Sequence, residues 1–144
     1  MEAPDSATVA GDLDDALGPV LLLAARAGAS VAERVSSSQL QALVALQRRG
    51  PMKVTSLALE LRSIPSSATR MCDRLVASGL IERRTGEEDR REVFLHLTAD
   101  GDAVVRAVGD VRRRVLADGL SRCTEQERHA LLAGLRALAE HLQD

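Results

Sequence analysis

A chain of 144 residues is long enough for one domain with a sizeable core and too short for two comfortable ones. Apolar residues make up 45% but aromatics only 1%, the single Phe94, so leucine, valine and alanine must build the core, which suits helix packed on helix. The formal net charge of -2 excludes a protein that holds nucleic acid by bulk positive charge.

Met1 to Gly11 are small, acidic and aperiodic, and are expected to form a poorly ordered tail without the basic start of a signal peptide. Residues 12–144 are expected to form the single domain. Asp12 offers an N-cap for a first helix, in which Leu13, Leu17, Val20, Leu21 and Ala24 recur at helical spacing toward Arg34. Pro19 should kink that helix or restart it. The apolar run Ala16 to Ala25 is too short to span a bilayer, so no membrane association and a cytoplasmic location are expected. Ser36 with Gln39 reads as a capping box for a second helix through Leu40, Leu43, Val44 and Gln47, which Gly50-Pro51 stops. Thr55 reads as the N-cap of a short third helix with Leu57, Ala58 and Leu61 inward.

From Pro65 to Val76, helical spacing puts Ala68, Met71, Cys72, Leu75 and Val76 on one stripe. Ser66, Ser67, Thr69, Arg70, Asp73 and Arg74 fall around the other side, free to meet a partner. Gly79 suits a left-handed helix stop. Two short strands follow, Leu80 to Arg84 and Arg91 to Leu97, joined by a polar turn with Gly86, Asp89 and Arg90. Helix, tight turn, helix, strand, arginine-tipped loop, strand is the order of a winged helix-turn-helix, here over residues 36–97. The expected class is mainly α with a small β-hairpin wing.

Thr98 can cap a fifth helix, where Val104, Val108, Val111 and Val115 recur in 4-3-4 steps. Thr124 with Glu127 forms a capping box for a sixth, where Leu131, Leu135, Leu138 and Leu142 repeat those steps. A hairpin of two such helices cannot bury both seams against itself. Residues 12–34 and 98–144 are therefore expected to serve as dimerisation helices, the alternative being a purely internal core.

DNA recognition needs donors for phosphates and groups that reach base edges. Ser66, Ser67 and Thr69 near a helix start can donate to either, and Arg70 and Arg74 extend along the same face. From Lys53 to Arg91 the chain holds eight basic residues against six acids, a mildly basic segment in an acidic chain. Arg83, Arg84, Arg90 and Arg91 flank the hairpin loop, where a guanidinium can enter a narrow minor groove. Glu87 and Glu88 argue the other way, because carboxylates repel phosphate. The three histidines and two cysteines have no metal-ligand spacing, and no catalytic triad, phosphate-cradling loop or carboxylate pair stands out. Neither an enzyme nor a cofactor is expected.

Three segments together resemble the MarR family of bacterial transcriptional regulators: Leu75-Val76-Ala77-Ser78-Gly79-Leu80-Ile81-Glu82-Arg83-Arg84, Asp89-Arg90-Arg91, and Leu95-His96-Leu97-Thr98-Ala99-Asp100-Gly101. The resemblance spans about Leu13 to Leu142. It implies a homodimer on double-stranded DNA, with recognition helices in major grooves, wings in adjacent minor grooves, and repression from a pseudo-palindromic operator. Two-fold symmetry would set half-sites about 34–36 Å apart. The resemblance also implies that Asp89 holds Arg91 in pose, leaving Arg84 and Arg90 for phosphates. It further implies a small-molecule inducer between the dimerisation helices and the DNA-binding lobe, in a pocket walled here by aliphatic and arginine side chains. The chain departs from the family where Arg62, Ser63 and Ile64 replace a glycine, an apolar residue and a Ser or Thr cap; either Ser63 caps the helix or Ile64 fills the apolar slot from a shifted position. Two other readings compete: a winged-helix protein-interaction module without DNA binding, and an oxidant switch through Cys72 or Cys123. Cys72 on the packed stripe reads as buried filler, and Cys123 beside Arg122 as an exposed thiol.

Overall fold

The computed structural model describes residues 5–31, 35–86 and 89–142. The order is α1 (Ser6–Val31), α2 (Ser37–Arg49), α3 (Val54–Glu60), α4 (Pro65–Ala77), β1 (Ile81–Thr85), β2 (Val93–Leu97), α5 (Ala99–Leu120) and α6 (Glu125–His141). The fold is mainly helical with one antiparallel hairpin, as the residue pattern predicts. No helix among the described residues is long and apolar enough to cross a membrane.

Helix α1 starts at Ser6 rather than Asp12, so the expected tail is helical over residues 6–11. The reason is local: the Asp5 carboxylate accepts the Thr8 amide at 2.7 Å, and these bonds hold its carboxyl below the usual carboxylate range. The helix runs on through Pro19 to Val31. The expected continuation to Arg34 and the first four residues of the tail lie outside the described residues. Helix α2 carries the predicted capping box, with Ser36 Oγ accepting the Gln39 amide at 3.3 Å and Gln39 Oε1 accepting the Ser36 amide at 2.9 Å. Gly50, at φ +80°, ends it in a conformation that favours glycine.

Helix α3 is capped by the extended backbone of Lys53, and Thr55 lies inside the helix as an exposed side chain. Lys53 has its own use: its ammonium pairs with Glu92 and stands 5.7 Å from the centre of the Phe94 ring, tying the start of α3 to the wing end of the hairpin. Met52 adds a short third rung, its amide and carbonyl both bonded to Leu95.

At the end of α4, the Gly79 amide bonds the Val76 carbonyl and the Leu80 amide bonds the Leu75 carbonyl, both at 3.0 Å, with Gly79 at φ +74°. That is a Schellman stop. It takes the Leu80 amide out of the sheet, so β1 begins at Ile81 and not at Leu80; β2 begins at Val93 and not at Arg91, because Arg91 belongs to the wing turn. The ladder runs from Ile81 opposite Leu97 to Thr85 opposite Val93.

Leu43, Leu57, Leu75, Ile81 and Leu95 are fully buried, one from each of α2, α3, α4, β1 and β2, and Cys72 fills the space among them. At roughly 1.5–3 kcal/mol for each large aliphatic side chain, this shared cluster fixes the position of α4. Helix α5 closes the lobe through Gly101, whose Cα faces the Leu80 carbonyl so closely that a Cβ would stand 2.1 Å from that oxygen. The Thr98 hydroxyl accepts the Gly101 amide, as expected of a cap, and donates to the Gly79 carbonyl at 2.6 Å. Farther along, α5 packs against α1, with Val105 and Val108 buried. Helix α6 has its predicted capping box at Thr124 and Glu127 but no buried residue.

Candidate nucleic-acid interface

Helix α4 turns its two faces as the spacing predicts. Ala68, Cys72 and Leu75 are buried, while Ser66, Ser67, Thr69, Arg70, Asp73 and Arg74 are exposed on one continuous side. Their availability differs. The Thr69 hydroxyl donates to the Pro65 carbonyl at 2.9 Å, so its proton is already used within the helix. Asp73 accepts from Arg83 of β1 at 2.7 Å. Arg70 and Arg74 have no ion pair among the described residues and project from the helix as free cations.

The start of α4 resolves the alternatives left by the sequence. Ile64 is the N-cap, with no side-chain cap bond, and Pro65 is the first helical residue. Ser63 does not cap; its hydroxyl lies 3.4 Å from the Ile64 carbonyl. Arg62 turns the chain at φ +49°, the one non-glycine residue at positive φ among those described.

In the wing, the Gly86 amide bonds the Glu92 carbonyl at 2.8 Å, and the Glu92 amide bonds the Asp89 carbonyl at 3.1 Å. Gly86 is needed here, because a Cβ would meet the Asp89 carbonyl at 2.9 Å. The Asp89 carboxylate accepts the backbone amide of Arg91 at 2.8 Å. The acid thus meets Arg91 through its main-chain amide. Arg90 and Arg91 are exposed at the tip. Arg84, expected to serve a phosphate, is paired with Glu82 two residues away on the same strand face. Glu87 and Glu88 lie outside the described residues.

The arrangement offers cations without an ion pair among the described residues, on a helix and at a hairpin tip of one lobe. The family model described as "MarR family" matches residues 35–93, the segment that contains both. The HTH-type transcriptional repressor MdtR of Bacillus subtilis is 38% identical over 93 residues, covering 65% of this chain and 60% of that protein. The HTH-type transcriptional regulator YfiV of the same organism is 30% identical over 110 residues, or 76% and 69%. The crystal structure of Rv1404 from Mycobacterium tuberculosis superposes with a TM-score of 0.88 at 33% identity, over 97% of this chain and 96% of that one. The chain belongs to the MarR family.

Two further features of this MarR-family chain lie away from α4 and the wing. A cleft of about 1130 Å³ opens between α1, α2, α3 and α5. Its walls are aliphatic, from Ala25, Val35, Leu40, Val44 and Leu61, with Arg48, Arg49, Arg62 and Arg112 around them and no aromatic residue. Arg49 is paired with Glu60 at 3.1 Å; the other three arginines have no ion pair among the described residues. The second feature is apolar surface facing water: Leu21, Leu22 and Leu23 on α1, and Leu131, Leu132, Leu135 and Leu138 on α6 with Leu142 at its cap.

Cys72 is fully buried, and burial pushes its thiol above the ordinary value, so the reactive thiolate is suppressed. Cys123 is half-buried in the turn between α5 and α6.

Proposed function

We propose that this chain is a homodimeric, non-catalytic repressor that occupies a pseudo-palindromic operator and is released by a small acidic ligand. The observation that carries the reading is the joint presentation of Arg70 and Arg74 on α4 and Arg90 and Arg91 on the wing. A helix of that kind fits the major groove, where an arginine can take two acceptors of a guanine, and an arginine-tipped hairpin fits the minor groove. Ser66 and Ser67 would contact phosphate or base edges at the helix start, and Asp89 would hold the wing's shape. Arg84 would reach phosphate only by leaving Glu82. Repression is supported by likeness to MdtR.

Dimerisation is supported by α6. A helix draws most of its stability from tertiary packing, and α6, with no buried residue, has leucines that need a partner surface. The exposed leucines of α1 supply the same chemistry on a second helix.

The cleft supports an organic acid with an aliphatic body. Holding a non-glycine residue such as Arg62 in the left-handed region costs about 1–2 kcal/mol, yet that conformation sets its side chain at the cleft, in the turn that feeds α4. An acid shared by Arg62 and Arg112 of α5 would link ligand binding to the position of α4.

The test is fluorescence anisotropy of the purified protein on DNA upstream of its own gene, at several salt concentrations, for wild type and Arg91→Ala. The expected result is tight binding with a steep salt slope, lost in the variant, because neutralised phosphates release counterions. Absent or salt-insensitive binding by an intact dimer moves the assignment to a protein-interaction module.

A further inference from the structure

Ile64 stands where a polar side chain would serve the helix best. It is the N-cap of α4, at φ -72° and ψ 144°, and makes no side-chain cap bond. Serine, threonine, asparagine and aspartate are preferred there because their oxygens take a free amide of the first turn. Ile64 is instead 65% exposed. A serine is present one residue earlier, but its hydroxyl is directed at the Ile64 carbonyl. Packing within the free chain therefore does not account for an isoleucine at this position.

Its neighbours suggest what does. Ser66, Ser67 and Arg70 continue the same exposed start of α4. Residues at the N-terminal end of a recognition helix are those that meet base edges in the major groove. The C5-methyl of thymine is the one apolar group displayed there, and apolar side chains contact it. Pro65 confines Ile64 to an extended backbone, and branching at its Cβ stiffens the first side-chain torsion, so little freedom is lost when the contact forms.

We propose that Ile64 is a specificity-determining residue that contacts the C5-methyl group of one thymine in each operator half-site. The proposal rests on the reading of α4 as the DNA-binding helix.

The test starts from a duplex selected out of random DNA by the full chain. Each thymine of the half-sites is replaced, one symmetric pair at a time, by deoxyuridine, which lacks only the methyl group. Wild type is expected to lose about fourfold in affinity per half-site at one position, the equivalent of one buried methyl group. At that position Ile64→Ser binds thymine and uracil duplexes equally, while Ile64→Val, with a branched apolar tip, keeps the preference. Leu59→Ser, which removes the other strongly exposed aliphatic of this helix pair, keeps it too. A wild type indifferent to every replacement, selected half-sites without thymine, or an Ile64→Ser protein as sensitive as wild type overturns the proposal while leaving DNA binding intact. Failure of wild type to select any DNA removes the underlying reading as well.

Discussion

Arg83 on β1 donates to the carboxylate of Asp73 on α4 at 2.7 Å, tying the wing to the outer face of that helix. Both side chains are partly exposed, so the pair adds less than about 1 kcal/mol to stability. Its consequence is a division of labour among the arginines. Arg83 is occupied, whereas Arg74, next to Asp73 on the exposed side of α4, is free among the described residues. Arg83→Ala is expected to leave the slope of log affinity against log salt unchanged. Arg74→Ala should flatten it by about 0.9 for each phosphate that the arginine no longer neutralises. Equal slopes for the two variants would contradict this division.

The Asp89 carboxylate organises the wing tip through the Arg91 amide. Asp89→Ala removes that acceptor and should weaken DNA binding about fivefold, the effect of losing roughly 1 kcal/mol of hydrogen bonding. Asp89→Asn keeps a side-chain oxygen and should bind like wild type. If Asp89→Ala binds more tightly, the carboxylate acts only as a charge beside phosphate. Anisotropy titrations of the three proteins decide.

Gly101 has no room for a side chain, since a Cβ would stand 2.1 Å from the Leu80 carbonyl oxygen. Relief requires moving the first turn of α5 off the helix-to-strand corner that the Thr98 hydroxyl also holds. Overpacking of this kind costs about 1–3 kcal/mol or more. Gly101→Ala should therefore unfold at clearly lower urea than wild type, whereas Gly119→Ala, with open space at its Cβ, should match or exceed it.

These sites also mark how far the residue pattern could be read. Helix order, the two faces of α4, the glycine stop at Gly79 and the capping boxes at Ser36 and Thr124 are local, so residue type and spacing are enough to place them. Three features needed tertiary context or a single side chain's geometry. The start of α1 depends on one carboxylate, Asp5, in a stretch with no apolar period. Lys53 caps α3 by backbone alone, because an ammonium has no acceptor for a first-turn amide, and its side chain instead meets Glu92 and Phe94 of the hairpin. Val105, outside the 4-3-4 valine seam, is more buried than Val104, because α5 faces both the lobe and α1. In the candidate site, exposure of the arginines was legible and their pairing was not. Glu82 engages Arg84 as an i, i+2 pair on one strand face, whereas Asp73 of α4 engages Arg83 of β1 through tertiary packing that sequence spacing does not specify.

Burial separates the two cysteines. Iodoacetamide at neutral pH should label Cys123 and spare Cys72 in the folded protein, as read by intact mass. The raised thiol of Cys72 carries a sign for stability. Below the ordinary thiol value of 9.0, folded and unfolded chains both keep the proton and stability is unaffected. As pH climbs above it, the unfolded thiol ionises first, and stability falls until the raised folded value is passed. Cys72→Ala should remove that alkaline decline while lowering stability at neutral pH through the cavity it leaves. Rapid labelling of Cys72 would reopen the oxidant-switch reading.

Helix α6 tests the assembly most directly. No residue of α6 is buried in the single chain, and Leu135 and Leu138 are each 37% exposed. In a monomer, carboxylates at the partly exposed Leu135 and Leu138 would still reach water, but in a dimer they would be buried against apolar surface without partners, which is strongly unfavourable. The Leu135→Glu, Leu138→Glu double variant should therefore elute at the 15.4 kDa chain mass where wild type elutes at twice that value. Its lobe should keep its helical circular dichroism apart from α6, and its DNA affinity should fall, because two half-sites can no longer be engaged together. A double variant that remains dimeric would place the interface elsewhere, with the leucines of α1 as the next surface to charge.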